Sequence, residues 1–284
     1  VVSGGLELIR AADDGCGVPS EELPLAVALH ATSKLQSPED LFRVCTLGFR
    51  GEALASIAEV SRLTIRSRTA ESTAGAELEV IGGAVGQVVP CAAAVGTVVE
   101  VRDLFFNTPV RRRFLRAPQT ELSHVCEAFT RIALATPGVQ FTLQHNDRPL
   151  LEVEADADLR QRIARLFGPE LAESLIAVES SDGPVSIAGY VAPPAHSRSH
   201  NRMQYFFLNG RYIRDRALQH ALGEAYRGLL MTGRYPIAFL VFHMPPELVD
   251  VNVHPTKLEV RFQDGGRLYS QLLSTLRSKF LTSD

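Results

Sequence analysis

The sequence predicts an α+β protein of two domains: a strand-rich, antiparallel first unit with helices laid against it, then a smaller α/β layer unit. Three observations carry this. Between residues 62 and 105, short runs of alternating apolar residues (RLTIRSR, AELEVIGG, GTVVEVRDLF) are separated by glycine turns, as in an antiparallel sheet. Later segments show helical spacing instead, notably DRALQHALGEAYRGLL and RLYSQLLSTLRSKFL. Finally, 284 residues exceed the usual single domain, and the acidic stretch EADAD at 154–158 interrupts two periodic regions, which places a boundary between 155 and 156.

The elements follow in order. VVSGGLELIRAA reads as the end of one strand, a glycine turn and a second strand, running into the loop DDGCGVP. From Pro19 an acidic first turn opens a helix with Leu23, Val27 and Ala31 on one side. The stretch CTLGFRGEALASI puts two glycines around an arginine and then starts an Ala-rich helix. After the three strands, NTPVRRRFLRAPQTELSHVCEAFTRIALATPG carries a long helical pattern whose apolar stripe is Leu122, Val125, Phe129, Ile132 and Ala133. VQFTLQHN and RPLLEVE complete the first unit as strands. The second unit has a helix LRQRIARLFG, strands at SIAGYVA and MQYFFLNGRYI, and the 215–230 helix. Strands IAFLVFHM and KLEVRF and the C-terminal helix follow.

Composition narrows the function classes. With 45% hydrophobic and 21% charged residues the chain is globular, and it has no apolar run of the length that crosses a bilayer. A net charge of −3 means that nucleic-acid contact has to come from local patches. The four cysteines, Cys16, Cys45, Cys91 and Cys126, are scattered with no C-x-x-C pair, which argues against a zinc site or disulfide framework and suits a reducing, cytoplasmic setting.

The segments with chemistry lie mostly in the first half. Asp13, Gly15 and Gly17 form D-x-G-x-G: a carboxylate fixed by a glycine turn can accept a hydrogen bond from an exocyclic amine, while the absent side chains let a flat ring approach backbone. A plain Asx turn has the same letters. Thr32, Ser33 and Lys34 in HATSK offer hydroxyls and a cation to phosphate oxygens, as a solvated helix end also would. Gly48, Phe49, Arg50, Gly51, Glu52, Ala53 and Leu54 form a loop and helix start whose amides suit an anion, or an ordinary glycine turn. Gly96-Thr97 places a hydroxyl at a strand start.

Taken together and in this order, D-x-G-x-G, HATSK, LGFRGEAL and VGT resemble the MutL family of DNA mismatch-repair proteins. The resemblance continues through DLFFNTPVRRRFL, FLNGRYIRDR and VDVNVHPTKLEVRF and covers essentially the whole chain. It implies a GHKL (Bergerat) ATPase α/β sandwich with a mixed sheet over 1–155, in the superfamily shared with gyrase and histidine kinases. A transducer-like, ribosomal-protein-S5-like α/β domain would occupy 156–284. By this resemblance Asp13 reads adenine, Gly15 and Gly17 lie beside it, and Thr97 completes the base site. Thr32 to Lys34 belong to an ATP lid, Gly48 to Leu54 hold the γ-phosphate, and Lys257 senses that phosphate from the second domain.

ATP and Mg²⁺ are the implied cofactors. The implied activity is slow ATP hydrolysis in a switch that dimerises on ATP and couples mismatch recognition by a MutS-type partner to repair. In the family, the general-base glutamate and the Mg²⁺-binding asparagine lie on a helix with E-x-x-x-N upstream of D-x-G-x-G. Only twelve residues precede Asp13, so an upstream segment is expected, the chain by itself is expected to be inactive, and neither Glu52 nor Glu100 is promoted in its place.

Two basic stretches remain: Arg111, Arg112, Arg113 and Arg116, and the region 198–234, with seven arginines against Asp215 and Glu224. Arginines at this density suit phosphate backbone without base reading, or exposed helix faces, and Arg211, Arg214 and Arg216 are the DNA-binding candidates. A nucleotide- and DNA-binding module without turnover is the competing reading. A topoisomerase ATPase subunit is a third, although it should carry neither NTPVRRRFL nor DVNVHP.

Overall fold

The computed structural model describes residues 1–28, 53–250 and 259–281. They fall into two compact units that exchange the chain after Phe129, Phe141 and Glu152.

The first unit contains β1 (Leu8–Asp13), α1 (Leu23–Ala26), α2 (Ala53–Ala58), β2 (Arg62–Arg68), β3 (Gly75–Ile81), β4 (Ala84–Val85), β5 (Val89–Cys91) and β6 (Gly96–Arg102). It continues with α3 (Pro109–Arg112), most of α4 (Pro118–Ala135), and most of the hairpin of β7 (Phe141–His145) and β8 (Arg148–Val153). Among the described residues its main sheet has the order β1-β6-β2-β3-β4, with β5 also on β3, and every pair in it is antiparallel. One face is apolar, because alternation along β2 and β3 sends Leu63, Ile65, Ala76, Leu78 and Val80 inward against Leu23, Val27 and Ala58. The other face carries charge: Arg66 pairs with Glu77 directly across the strands and approaches Glu100, which Arg10 and Arg102 also contact.

Two helices differ from the sequence reading. The segment after Pro19 is a 3-10 turn, Ser20–Glu22, followed by one turn of α1, with Pro24 near its start where a missing N–H costs nothing. Leu23 and Val27 are buried as the spacing requires, while Ala31 lies outside the described residues. The long helical pattern before Pro137 is split into α3 and α4, since Pro118 cannot donate into a preceding turn and disfavours helix at the residue before it. The stripe also turns: Ile132 is 51% exposed and Leu134 is buried in its stead. From Thr130 onward α4 belongs to the second unit, where Leu134 joins the core around Ile163, Phe207 and Phe239.

The second unit adds α5 (Leu159–Phe167), α6 (Pro169–Ser174), β9 (Ile176–Asp182), β10 (Val185–Val191), β11 (Gln204–Leu208), β12 (Arg211–Ile213) and α7 (Arg216–Ala225). It closes with β13 (Ala238–His243), the pair β14 (Val249–Asp250) and β15 (Arg261–Phe262), and α8 (Gly265–Leu281). Its five-stranded sheet has the order β12-β11-β13-β10-β9, mixed because β11 and β13 run parallel. All five residues of β11 are buried because both faces are covered. Phe206 and Leu208 face the core that includes residues of α7 and α8, whereas Tyr205 and Phe207 face Ile163, Leu171 and Leu134.

The acidic stretch 154–158 is not merely a solvated linker. The side chains of Asp156 and Arg162 are both fully buried, joined by a 2.8 Å hydrogen bond from Arg162 Nε to Asp156 Oδ2. The other arm of Arg162 donates to the carbonyls of Val139 at 2.7 Å and Glu154 at 2.9 Å. Arg165 donates to the remaining oxygen of Asp156. Burying a charge requires such pairing, and composition alone gives no sign of it.

Candidate functional site

The antiparallel register of β1, β6 and β2 brings three polar side chains into one row. Asp13 stands opposite Thr97, and Thr97 stands opposite Ser67. Residues directly opposite one another point to the same face, so the row lies at the end of the apolar face of this sheet. Asp13 is exposed, Thr97 half-buried, and Ser67 buried.

The Asp13 carboxylate shapes its own loop. Its Oδ1 accepts from the backbone N–H of Gly15 at 2.9 Å and from that of Thr97 at 3.2 Å. The first bond is an Asx turn and the second ties the loop to β6. No described residue donates to Oδ2, which leaves an acceptor on an exposed residue that stands opposite Thr97.

Two glycines are required by geometry. Gly17 has φ +75°, and a Cβ there would fall 2.1 Å from the carbonyl oxygen of Arg68. Gly96 has φ +117°, and its Cβ would fall 2.1 Å from the carbonyl oxygen of Asp13. Side chains at either position would push the D-x-G-x-G loop off the end of the sheet. Gly15 is less constrained: a Cβ there would stand 3.0 Å from Asp13 Oδ1.

Ser67 was not singled out in the sequence. Its Oγ donates to the carbonyl of Gly96 at 2.9 Å, accepts from the backbone N–H of Val18 at 2.7 Å, and lies 2.9 Å from Thr97 Oγ1. The available signal was its phase: in RLTIRSR the inward positions are Leu63, Ile65 and Ser67, and a serine in a core phase needs a hydrogen-bonding reason.

Of the phosphate-loop candidates, Ala53 and Leu54 open α2, the first exposed and the second packed on the core of this unit. Thr32, Ser33, Lys34, Gly48, Phe49, Arg50, Gly51, Glu52 and Lys257 lie outside the described residues.

The three arginine candidates surround the β11–β12 hairpin. Its turn is Asn209-Gly210, with φ 48° and 80°, the conformation in which Asn-Gly suits a two-residue hairpin. Arg211 follows it, half-buried, and burial lowers its pKa. Arg214 is exposed, its Nε 3.3 Å from the Tyr212 hydroxyl. Arg216 is exposed at the first position of α7, behind the N-cap Asp215, which accepts from the Leu218 N–H at 2.8 Å. A cation at a helix N-terminus opposes the helix dipole, so Arg216 is not placed there for helix stability.

Known proteins resemble the chain along most of its length. A family profile described as "DNA mismatch repair protein, C-terminal domain" matches residues 163–281. The DNA mismatch repair protein MutL of Citrifermentans bemidjiense is 46% identical over 278 residues, 98% of this chain but 43% of that protein. The chain therefore spans less than half the length of this curated relative. Among solved structures, the N-terminal domain of a DNA repair protein superposes with TM-score 0.83 at 22% identity, covering 100% of this chain and 88% of that one, which speaks to the fold. The Aquifex aeolicus MutL ATPase domain complexed with ADP has TM-score 0.62 and 29% identity over 87% of this chain and 82% of its own. With the sheet, the D-x-G-x-G loop and these likenesses in agreement, the chain belongs to the MutL family of DNA mismatch-repair proteins and has the GHKL ATPase type of fold.

Proposed function

We propose that the protein carrying this chain is an ATP-driven switch of DNA mismatch repair, with residues 1–155 as the nucleotide-binding domain and 156–284 as a transducer-like domain. The observation that carries the reading is the Asp13–Thr97 edge, a carboxylate and a threonine hydroxyl set opposite one another at a sheet end by a loop that tolerates no side chain at Gly17. An adenine amino group is a donor and suits that edge. The ADP in the Aquifex aeolicus ATPase domain supports a nucleotide here as well.

In this reading Asp13 orients the base, Gly15 and Gly17 keep the loop thin enough for a flat ring, and Thr97 completes the polar edge. Thr32, Ser33 and Lys34 close over the triphosphate. Gly48 to Leu54 hold the γ-phosphate, and the Lys257 ammonium stabilises charge that develops on it. Bound ATP supplies the phosphoryl group whose transfer to water resets the switch. Among the described residues no three His, Cys, Asp or Glu side chains converge on a metal, and the 284 residues contain no E-x-x-x-N, so no residue is assigned to Mg²⁺ or to the general base.

ATP binding brings two copies together, Arg211, Arg214 and Arg216 hold DNA phosphates without reading bases, and a MutS-type protein is the partner upstream. No described helix is long and apolar enough to cross a membrane, and the proposed setting is the cytoplasm. The test is equilibrium ATP binding and turnover in the protein carrying this chain, with light scattering on a non-hydrolysable analogue. Slow turnover and a nucleotide-dependent dimer are expected. Absence of ATP binding would refute the reading, and binding without turnover would select the binding-module alternative.

A further inference from the structure

We infer that Ser67 is the residue that makes the base edge selective, by fixing which way the Thr97 hydroxyl points. This rests on the nucleotide-binding reading above and adds a residue to it. A serine hydroxyl has one proton to give and two lone pairs to fill. The Gly96 carbonyl, 2.9 Å away, can only accept, so it takes the Ser67 proton. The Val18 amide, 2.7 Å away, can only donate, so it fills one lone pair. The remaining lone pair faces Thr97 Oγ1 at 2.9 Å, and the proton in that contact is therefore the one on Thr97.

Thr97 is left with no proton for a ligand. Its hydroxyl is an acceptor toward the open side of the row, as is the Oδ2 of Asp13. An edge made of two acceptors welcomes an amino group and repels a carbonyl oxygen. Adenine carries the amino group at this position, whereas hypoxanthine and guanine carry a carbonyl. Ser67 is 1% exposed and out of reach of solvent, so water does not readily take over its bonds. Because Ser67 acts through Thr97 it is a positioning residue.

The probe is inosine triphosphate, which differs from ATP in having a carbonyl and a ring N–H where ATP has an amino group and a ring nitrogen. Binding of both nucleotides is measured in the full protein for wild type, Ser67→Ala, Ser67→Thr and Thr97→Val. Wild type prefers ATP. In Ser67→Ala the Thr97 hydroxyl can turn and donate, and the preference narrows by about tenfold. Ser67→Thr keeps the hydroxyl and with it the preference. Thr97→Val narrows it too, and the double variant Ser67→Ala/Thr97→Val is no worse than the poorer single one, as expected for two residues acting as one unit.

If Ser67→Ala weakens both nucleotides equally and leaves their ratio unchanged, the residue is only structural and the inference is overturned. Additive effects in the double variant would overturn it as well, and this comparison of ratios holds even where Ser67→Ala is less stable. Failure of wild type to bind ATP would instead remove the nucleotide-binding reading itself.

Discussion

Asp13→Asn separates the two jobs of this carboxylate. In the native loop Oδ1 holds the Gly15 and Thr97 amides at 2.9 and 3.2 Å, while Oδ2 points away from them. Asparagine keeps a carbonyl oxygen for the two amides, so the loop is preserved. It replaces Oδ2 by an NH₂ group, a donor facing the donor of the adenine amine. The loss is one charge-assisted hydrogen bond, about 1.5–3 kcal/mol, or roughly ten- to hundredfold in ATP affinity. Calorimetric titration with ATP and with inosine triphosphate reads both sides of the change: ATP weakens by that factor, while the new NH₂ can meet the inosine carbonyl and spares the second nucleotide. Far-ultraviolet circular dichroism and the melting temperature should stay near wild type. Wild-type affinity for ATP in Asp13→Asn would refute the assignment of the base edge, and equal losses for both nucleotides would refute the donor–acceptor argument.

Other outcomes follow from the same geometry. Gly17→Ala places a methyl 2.1 Å from the Arg68 carbonyl at φ +75°, and should cost at least about 1 kcal/mol in urea unfolding together with nucleotide affinity; an unaffected protein would contradict the loop geometry. Arg162→Met leaves the buried Asp156 to Arg165 alone and should cost about 3 kcal/mol, read as a lower denaturant midpoint; a loss under about 1 kcal/mol would mean the cluster is easily replaced. Neutralising Arg211, Arg214 or Arg216 singly should lower the salt slope of DNA binding by about one unit without changing sequence preference, and three unchanged slopes would move the DNA contact elsewhere. The side-chain hydrogen bond from Arg267 holds the Asp182 carboxyl below its usual pKa. Its stabilisation is therefore present above the ordinary carboxylate range and is lost as pH falls through the lowered folded value. Asp182→Asn should flatten the acid limb of the stability curve, and an unaltered limb would show that the pair contributes nothing.

The sequence alone determined the features whose cause is local. Alternation marks β2 and β3 because one face of each strand is buried, and Asn209-Gly210 marks a hairpin because few other pairs adopt positive φ twice in succession. The D-x-G-x-G motif was legible for the same reason, since its Asx turn closes over two residues.

Tertiary structure decided what depends on partners distant in the chain. Pairing of β1, β6 and β2 sets Asp13, Thr97 and Ser67 in one row, and no local pattern connects residues 54 and 84 positions apart. The parallel pairing of β11 with β13, the burial of Asp156 against Arg162, and the turn of the α4 stripe from Ile132 to Leu134 are of the same kind. In each case the free energy lies in desolvation and hydrogen bonding between segments, and composition or period carries no record of which segments meet.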